Sequence, residues 1–185
     1  MATLVLTIER PGRPAETATF DAEEAQGGHH PLPRVVAVLA AELEARPLDT
    51  VVCHADLHAG NVHLAASGDL YLVDWDNPVL ACKERDLMSV GGGLFGDWYA
   101  PEEEERLFYQ GYGPAAIDWA ALAYYRYERI VQDLAAFCEQ IFASDEGGED
   151  REQSLHYVRA NFRPGGTIAQ AHRADSLTAA GPSLG

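Results

Sequence analysis

The amino-acid sequence predicts a mainly helical α+β domain with one compact core. Short strand-like runs occupy the first third of the chain, and one of them places Leu4, Leu6 and Ile8 at alternate positions. From Pro114 onward, apolar residues instead recur at steps of three and four, which is the period of an amphipathic helix. A chain of 185 residues, 47% hydrophobic and 23% charged, has the size and composition of one globular unit.

The elements expected in the first part of the chain are short and separated by turns. Residues 4–8 predict a strand, which a proline-rich turn at 11–14 follows. Residues 26–31 predict a loop, and the helical spacing of apolar residues over 35–43 predicts a helix. The β-branched run at 50–53 then predicts a buried strand that leads into a polar loop.

A hairpin and two further helices are expected in the remainder. Two short strands, 61–64 and 70–73, flank a Ser-Gly-Asp turn, which is typical of a hairpin. Residues 150–162 predict a late helix that ends at a Pro-Gly-Gly sequence. The apolar face of the long helix between them comprises Ile117, Ala121, Tyr124, Val131, Leu134, Cys138 and Ile141, with Glu128 as an interruption.

The order of these elements divides the chain into three segments. Residues 1–33 form a strand and loop segment, and residues 34–175 form the main domain. Residues 176–185 are expected to be a loose tail, because the chain after about Ala174 is small and polar.

The charge balance limits the classes of partner. The formal net charge is -16, so little basic charge is left to neutralise phosphates, which argues against nucleic acid or an anionic membrane as partner. A small cationic substrate is compatible with this charge, and so is a merely solubilising acidic surface. Three cysteines far apart indicate reduced thiols, and the N-terminus lacks a secretory signal, so the sequence predicts a cytoplasmic protein.

The informative motif is His54-Ala55-Asp56-Leu57-His58-Ala59-Gly60-Asn61, followed across the hairpin by Val73-Asp74-Trp75-Asp76. It fits the H-x-D-x-x-x-x-N catalytic loop of kinases, with Asp74 in the place of their metal-binding aspartate. Phosphoryl transfer needs a carboxylate to accept the acceptor's proton and oxygen ligands to hold Mg²⁺. Each residue alone is more often a turn or structural residue, but their joint order favours the kinase interpretation.

Two other patterns are weaker. His54 and His58 are four residues apart, like a helical zinc pair, but Val51-Val52 before them and Gly60 after them predict a loop instead. Residues 91–96 match G-x-G-x-x-G but come after the metal motif, whereas the glycine loop of kinases comes before the catalytic loop. They are interpreted as a flexible turn.

The sequence resembles the aminoglycoside phosphotransferase family, and most closely its spectinomycin phosphotransferase branch. The resemblance rests on the catalytic stretch, on 78–88, on Tyr124-Tyr125-Arg126-Tyr127-Glu128-Arg129-Ile130 and on Asn161-Phe162-Arg163-Pro164-Gly165-Gly166-Thr167. It implies the large lobe of a protein-kinase-like fold, with a small hairpin carrying the metal site, and a role in antibiotic resistance. ATP and Mg²⁺ are the implied co-substrate and cofactor.

The resemblance also implies roles for individual residues. Asp56 corresponds to the catalytic base, and His58 lies near the transferring phosphate of ATP. Asn61 and Asp74 correspond to the Mg²⁺ ligands, with Asp76 beside them. Two further residues are expected to support the loop, His54 by bracing it and Asp86 by hydrogen bonding to its backbone, while Glu128 is a candidate substrate contact.

This sequence departs from the family pattern before the catalytic loop. Its one lysine, Lys83, follows the metal motif and so cannot take the place of the lysine that grips ATP. Only about fifty residues precede the loop, where the family places a whole small lobe. The sequence therefore predicts an incomplete kinase, weak or inactive by itself. Such a chain is expected to self-associate, to be complemented by a small lobe, or to cover its exposed surface partly with its own residues 2–20. A truncated gene product, a reduced relative and part of a split enzyme are all compatible with this.

Three functions remain open at this stage. The first is transfer of the γ-phosphoryl group of ATP to a hydroxyl of a small aminocyclitol-like or aminoglycoside-like molecule. The second is a catalytically silent remnant that binds a ligand or partner. The third is a kinase for another small hydroxyl compound, such as choline, homoserine or a sugar, and a protein kinase is disfavoured.

Overall fold

The computed structural model describes residues 2–8, 16–22, 32–91, 100–143 and 148–180. The strands are β1 (Ala2–Ile8), β2 (Glu16–Ala22), β3 (Val51–Cys53), β4 (Val62–Leu64), β5 (Leu70–Leu72) and β6 (Val79–Ala81). The helices are α1 (Leu32–Glu44), α2 (Glu84–Leu87), α3 (Pro101–Tyr112), α4 (Trp119–Ala143), α5 (Glu149–Asn161) and α6 (Thr167–Ala180), and a 3₁₀ turn spans Ala59–Asn61. This is the predicted mainly helical α+β class.

The described strands form three separate two-stranded antiparallel sheets. β1 pairs with β2, β3 with β6, and β4 with β5. The predicted hairpin is present as β4 and β5, in which His63 lies opposite Tyr71. The proline-rich turn expected at 11–14 and the loop expected at 26–31 lie outside the described residues.

The core is built around α4. This helix packs against α1, α2, α5 and α6. The carboxylate of Asp118 accepts a hydrogen bond from the backbone N of Ala121 at 3.2 Å, which satisfies an orphan donor in the first turn. The buried core comprises Leu39, Leu87, Met88, Leu122, Ala123, Tyr127, Ile130, Leu134, Cys138, Ile141, Val158, Ala171 and Ala174. The buried face of α4 is thus wider than the predicted stripe.

Two of the strands near the site expose apolar side chains. Residues 51–53 were expected to be a buried strand, but Val51 and Val52 are exposed and only Cys53 is buried. The pairing with β6 places Leu80 opposite Val52 on the same face of the sheet, and a strand partner covers the edge of a strand but not its face. Leu80 itself is 75% exposed, so this two-stranded sheet presents an uncovered apolar face.

The predicted loose tail at 176–185 is wrong for residues 176–180, which belong to α6. Small residues permit close helix packing along α6, where Ala171 and Ala174 are buried against the core that α4 organises. Alanine is also the strongest helix former. Residues 181–185 lie outside the described part of the chain.

The sequence also contained a signal for α3 that was not used. Pro101 stands in the first turn of this helix, and three of the four glutamates that follow it also lie in that turn, which is the arrangement that a helix N-terminus favours. The acidic run was interpreted only as surface charge. Among the helices that the structure describes, none has an apolar stretch sufficient to cross a bilayer.

Candidate active site

The loop that follows β3 is held by the carboxylate of Asp86 on α2. One carboxylate oxygen accepts a hydrogen bond from the backbone N of His54 at 2.9 Å, and the other accepts one from Ala55 at 2.8 Å. Ala55 has a φ of 71°, in the left-handed region that non-glycine residues seldom adopt. Asp86 therefore compensates a strained turn at the start of the loop.

His54 connects this loop to the residue that precedes Asp74. Its Nε2 lies 2.7 Å from the carbonyl oxygen of Val73, and its Nδ1 lies 3.3 Å from the backbone N of Asp56. The carbonyl can only accept and the amide can only donate, so the hydrogen of a neutral ring is on Nε2. The ring is 2% exposed and lies 4.6 Å from the ring of Trp75. Both ring nitrogens are thus engaged, which leaves neither for zinc.

Asn61 closes the other end of the loop. Its side-chain Nδ2 donates to the carbonyl oxygen of Asp56 at 2.9 Å, and its backbone N donates to the carbonyl oxygen of His58 at the same distance. The residue is buried. Because the amide nitrogen is committed to the loop, Oδ1 is the amide atom available to a cation.

The β4–β5 hairpin brings Asp74 back beside Asn61. β4 begins directly after Asn61, β5 ends directly before Val73, and the backbone N of Val73 donates to the carbonyl oxygen of Asn61 at 3.1 Å. Asp74 is the next residue, with a φ of 67° that marks a sharp change of direction. Asp74 and Asp76 are exposed.

The donor set suits magnesium better than a metal that needs an all-protein cage. An amide oxygen and carboxylate oxygens are the hard ligands that Mg²⁺ prefers, and its remaining positions usually go to water and phosphate. Within the described segments, no three or more His, Cys, Asp or Glu side chains are clustered closely enough to hold a metal. The residues present therefore fit a sparse Mg²⁺ site that phosphates would complete.

Sequence reasoning missed Arg129, which contacts the expected catalytic base. Its Nη1 donates to Oδ1 of Asp56 at 2.6 Å, and its Nε donates to Oδ1 of Asp133 at 2.8 Å. Both Arg129 and Asp133 lie on α4, four residues apart. The i,i+4 spacing of Arg129 and Asp133 indicates a helical ion pair, but no neighbouring residue indicates the contact of Arg129 with Asp56.

Burial and neighbouring charges shift the pKa values of Asp133 and Arg129. Burial raises the pKa of Asp133 above its ordinary value, and Arg129 only partly opposes this effect. Burial by itself would lower the pKa of Arg129, but the carboxylates of Asp133 and Asp56 outweigh it, so the pKa is raised. Arg129 is therefore a permanent cation between two acids.

His58 approaches the other oxygen of the same carboxylate. Its Nε2 lies 3.8 Å from Oδ2 of Asp56, and its Nδ1 accepts a hydrogen bond from the backbone N of Gly60 at 3.0 Å. A Cβ at position 60 would come within 2.8 Å of this ring, so the absence of a side chain at Gly60 allows the approach.

Glu128, the candidate substrate contact, has intramolecular partners. Its carboxylate forms an ion pair with Arg85 and accepts a hydrogen bond from the hydroxyl of Tyr124 at 2.9 Å. The guanidinium of Arg85 also lies over the ring of Tyr125 at 5.3 Å. Arg126, which precedes Glu128 by two residues, instead donates to the carbonyl oxygens of Met88, Val90 and Gln170.

The structure thus gathers the catalytic stretch from several elements. Asp56, His58 and Asn61 share one loop, His54 and Asp86 anchor it, and the hairpin returns Asp74 beside it. Glu128 belongs to a neighbouring cluster with Arg85. Lys83, the only lysine of the chain, donates to the carboxylate of Glu84 at 2.8 Å. Gly91 has a φ of 66°, in keeping with a turn, while 92–96 lie outside the described residues.

Comparison with known proteins identifies the class. A family model described as the phosphotransferase enzyme family matches residues 8–125, which is more than half of the chain. The chain belongs to this family and is a relative of the aminoglycoside phosphotransferases, as the sequence predicted.

Two solved structures make the relationship more specific. Spectinomycin phosphotransferase APH(9)-Ia in complex with ADP and spectinomycin is 36% identical, with a TM-score of 0.64 over 79% of this chain and 45% of that one. Its AMP-bound complex is 37% identical, with a TM-score of 0.61 over 76% and 44%. The chain therefore spans less than half the length of these relatives. No curated protein matches the chain significantly.

Proposed function

We propose that the chain is a phosphotransferase of the aminoglycoside type that moves the γ-phosphoryl group of ATP to a hydroxyl of a small aminocyclitol-like molecule. The observation that carries this proposal is the loop from His54 to Asn61, closed at both ends and joined to Asp74 by the hairpin. The solved relatives support the substrate classes, because they were crystallised with ADP or AMP and one of them with spectinomycin.

The side chains divide the chemistry between them. Asp56 is the base that accepts the proton of the acceptor hydroxyl, whose oxygen then bonds to the γ-phosphorus while the bond to ADP breaks. His58 stands beside Asp56, from where it can donate a hydrogen bond to the phosphoryl group as its charge develops. His54 and Asp86 keep the loop in shape through their backbone contacts.

Asn61 and Asp74 are the residues that would hold Mg²⁺, with Asp76 near them. When bound, the ion would neutralise charge on the nucleotide phosphates. The chain itself supplies the rigid presentation of these oxygens, because the hairpin hydrogen bond from Val73 fixes the backbone of Asn61.

The part of the relatives that this chain represents is also a proposal. Residues 34–175 correspond to the large lobe of a protein-kinase-like fold, and 1–33 do not correspond to a small lobe. The exposed apolar side chains of β3 to β6, including Val52, Leu64 and Leu80, are the surface that a second lobe or a second copy would cover.

The second candidate is a binding protein without catalysis. It is favoured by one observation: Lys83 is the only lysine and is paired with Glu84, so no lysine is available to nucleotide phosphates. A kinase for choline, homoserine or a sugar uses the same machinery and differs only in its acceptor.

Binding and product formation test these alternatives together. Thermal unfolding is measured with and without Mg-ATP, and saturation at one hundred times the dissociation constant should add about 2.7 kcal/mol of stability. Product is then assayed with spectinomycin, choline, homoserine and a hexose, in each case with an added small lobe from a related enzyme. A shift with product from spectinomycin supports the proposal, a shift without product supports the binding protein, and product from another acceptor alone changes the substrate. The absence of both would contradict the kinase interpretation.

A further inference from the structure

The two oxygens of the Asp56 carboxylate have different surroundings. Oδ1 accepts a hydrogen bond from Nη1 of Arg129 at 2.6 Å. Oδ2 lies on the side of His58, whose Nε2 is 3.8 Å away, too far for a hydrogen bond. The carboxylate is therefore held through one oxygen while the other is directed to the side where the phosphoryl group is expected.

Arg129 is itself fixed in place. Its Nε donates to Asp133, so two different nitrogens of one planar group hold two carboxylates. The next residue in the chain, Ile130, is buried in the core, as is Tyr127, so this part of α4 has little freedom to shift. The guanidinium of Arg129 therefore links α4 to the catalytic loop in a fixed position.

We propose that Arg129 is a positioning residue for phosphoryl transfer, which binds Oδ1 of Asp56 so that Oδ2 is the oxygen that receives the acceptor's proton. This inference rests on the proposed function. The proton of the acceptor hydroxyl moves to Oδ2, the acceptor oxygen bonds to the γ-phosphorus, and the bond to the β–γ bridging oxygen breaks. ADP leaves with that electron pair, and Asp56 later returns the proton to solvent.

The arrangement resembles catalytic sites in which a further residue, here Arg129, orients the general base, here Asp56. In such sites the orienting residue does not take the proton but fixes which lone pair faces the substrate, and its loss lowers turnover more than binding. Lysine could not replace Arg129, because a single ammonium lacks the fork that reaches Asp56 and Asp133 from two nitrogens. Asp133 holds the guanidinium of Arg129 in its orientation by accepting a hydrogen bond from Nε.

The test uses the full chain with four variants: Arg129→Ala, Arg129→Lys, Asp133→Asn and Asp56→Asn. Arg106→Ala is the matched control, because Arg106 is an exposed arginine on α3 that pairs with Glu103 within its own helix. Product from ATP and spectinomycin is measured for each chain together with an added small lobe from a related enzyme, under conditions that separate kcat from KM. Thermal unfolding of each variant verifies that it is folded.

Arg129→Ala should lower kcat by about 10- to 100-fold with KM within about 2-fold, since small misplacements of a reacting group are costly. Asp133→Asn should give a smaller fall, and Arg129→Lys should not restore kcat. In the Asp56→Asn background, removal of Arg129 should have no further effect. Activity of Arg129→Ala equal to that of the Arg106→Ala control would overturn the proposal, as would full additivity with Asp56→Asn.

A structural measurement separates this inference from the proposed function. Crystal structures of the unaltered chain and of Arg129→Ala should show Asp56 in one rotamer in the former and in several in the latter. An unchanged, single Asp56 rotamer without Arg129 would refute positioning, whatever the activity. If the unaltered chain transfers no phosphate even with an added small lobe, while Asp56 loses its order in the variant, the proposed function fails and the positioning contact stands.

Discussion

The imidazole of His54 donates a hydrogen bond from Nε2 to the carbonyl oxygen of Val73 at 2.7 Å. This bond joins the start of the loop at 54–61 to the residue before Asp74. Together with the bond from the Val73 N to Asn61, it ties both halves of the site through the backbone. A site held by such buried contacts is formed before any ligand arrives, which is what positioned phosphoryl transfer requires.

The first prediction concerns the expected base. Asp56→Ala should slow turnover by roughly 10²- to 10⁴-fold, the usual contribution of a positioned general base. Nucleotide and acceptor affinities should change little, because the lost interaction forms mainly in the transition state. Steady-state kinetics of the variant and its parent, each with an added small lobe from a related enzyme, check this. Turnover within a few-fold of the parent would remove Asp56 from this role.

The second prediction concerns the metal. Asn61 and Asp74 should share one divalent ion, since the hairpin places their backbones next to each other. Titration with Mn²⁺ in the presence of ADP, followed by electron paramagnetic resonance, should show one bound ion in the unaltered chain. Asp74→Ala should weaken its binding strongly, whereas Asp69→Ala at the tip of the hairpin should not. Equal binding by both variants would place the ion elsewhere.

The third prediction concerns Glu128. Its partner Arg85 is 14% exposed, and Nε of Arg85 is the one buried side-chain nitrogen or oxygen without a partner in the described residues. Glu128→Gln should therefore cost about 1–3 kcal/mol of stability, because a mostly buried charge loses its counter-ion. Chemical denaturation measures this.

Glu103→Gln is the matched control for that measurement, since Glu103 pairs with Arg106 on the surface of α3. It should leave the free energy of unfolding almost unchanged, because water screens an exposed ion pair. A normal stability of Glu128→Gln, combined with a higher KM for a cationic acceptor, would instead favour the substrate role.

Local signals account for what the sequence predicted well. The β4–β5 hairpin and the shape of the loop at 54–61 depend on turn residues and on neighbours within a few positions, as the bond from Asn61 to Asp56 illustrates. Arg129 could not be found in this way, because its contact with Asp56 joins residues 73 positions apart. The end of α6 was missed for a similar reason, since the burial of Ala174 depends on how α4 packs.

The fourth prediction concerns the cysteines. Burial raises the pKa of the Cys53, Cys82 and Cys138 thiols above the ordinary value of 9.0. At pH 8 all three should react with a disulfide reagent at least about 100-fold more slowly in the native chain than in denaturant, because reaction requires opening of the structure. Fast native reaction of one thiol would reveal local opening there.

The raised pKa values of these thiols also predict how the free energy of unfolding changes at alkaline pH. A group whose pKa is raised in the folded state stabilises that state below its unfolded pKa, and the contribution is lost as pH rises through the folded value. The free energy of unfolding should therefore begin to fall above about pH 9.0. Replacing Cys138, which contacts no charged group that shifts its pKa, with alanine should reduce this pH dependence.

The last prediction is that the 185-residue chain by itself is a very poor kinase. Its one lysine is paired with Glu84, and its G-x-G-x-x-G match follows the metal motif, so little in it can fix the nucleotide phosphates. The loss of one charge-assisted contact costs about 1.5–3 kcal/mol. A product assay of the chain, repeated after addition of a small lobe from a related enzyme, checks this. Turnover should be near background alone and rise on complementation, whereas robust turnover by the chain alone would mean that other residues grip the nucleotide.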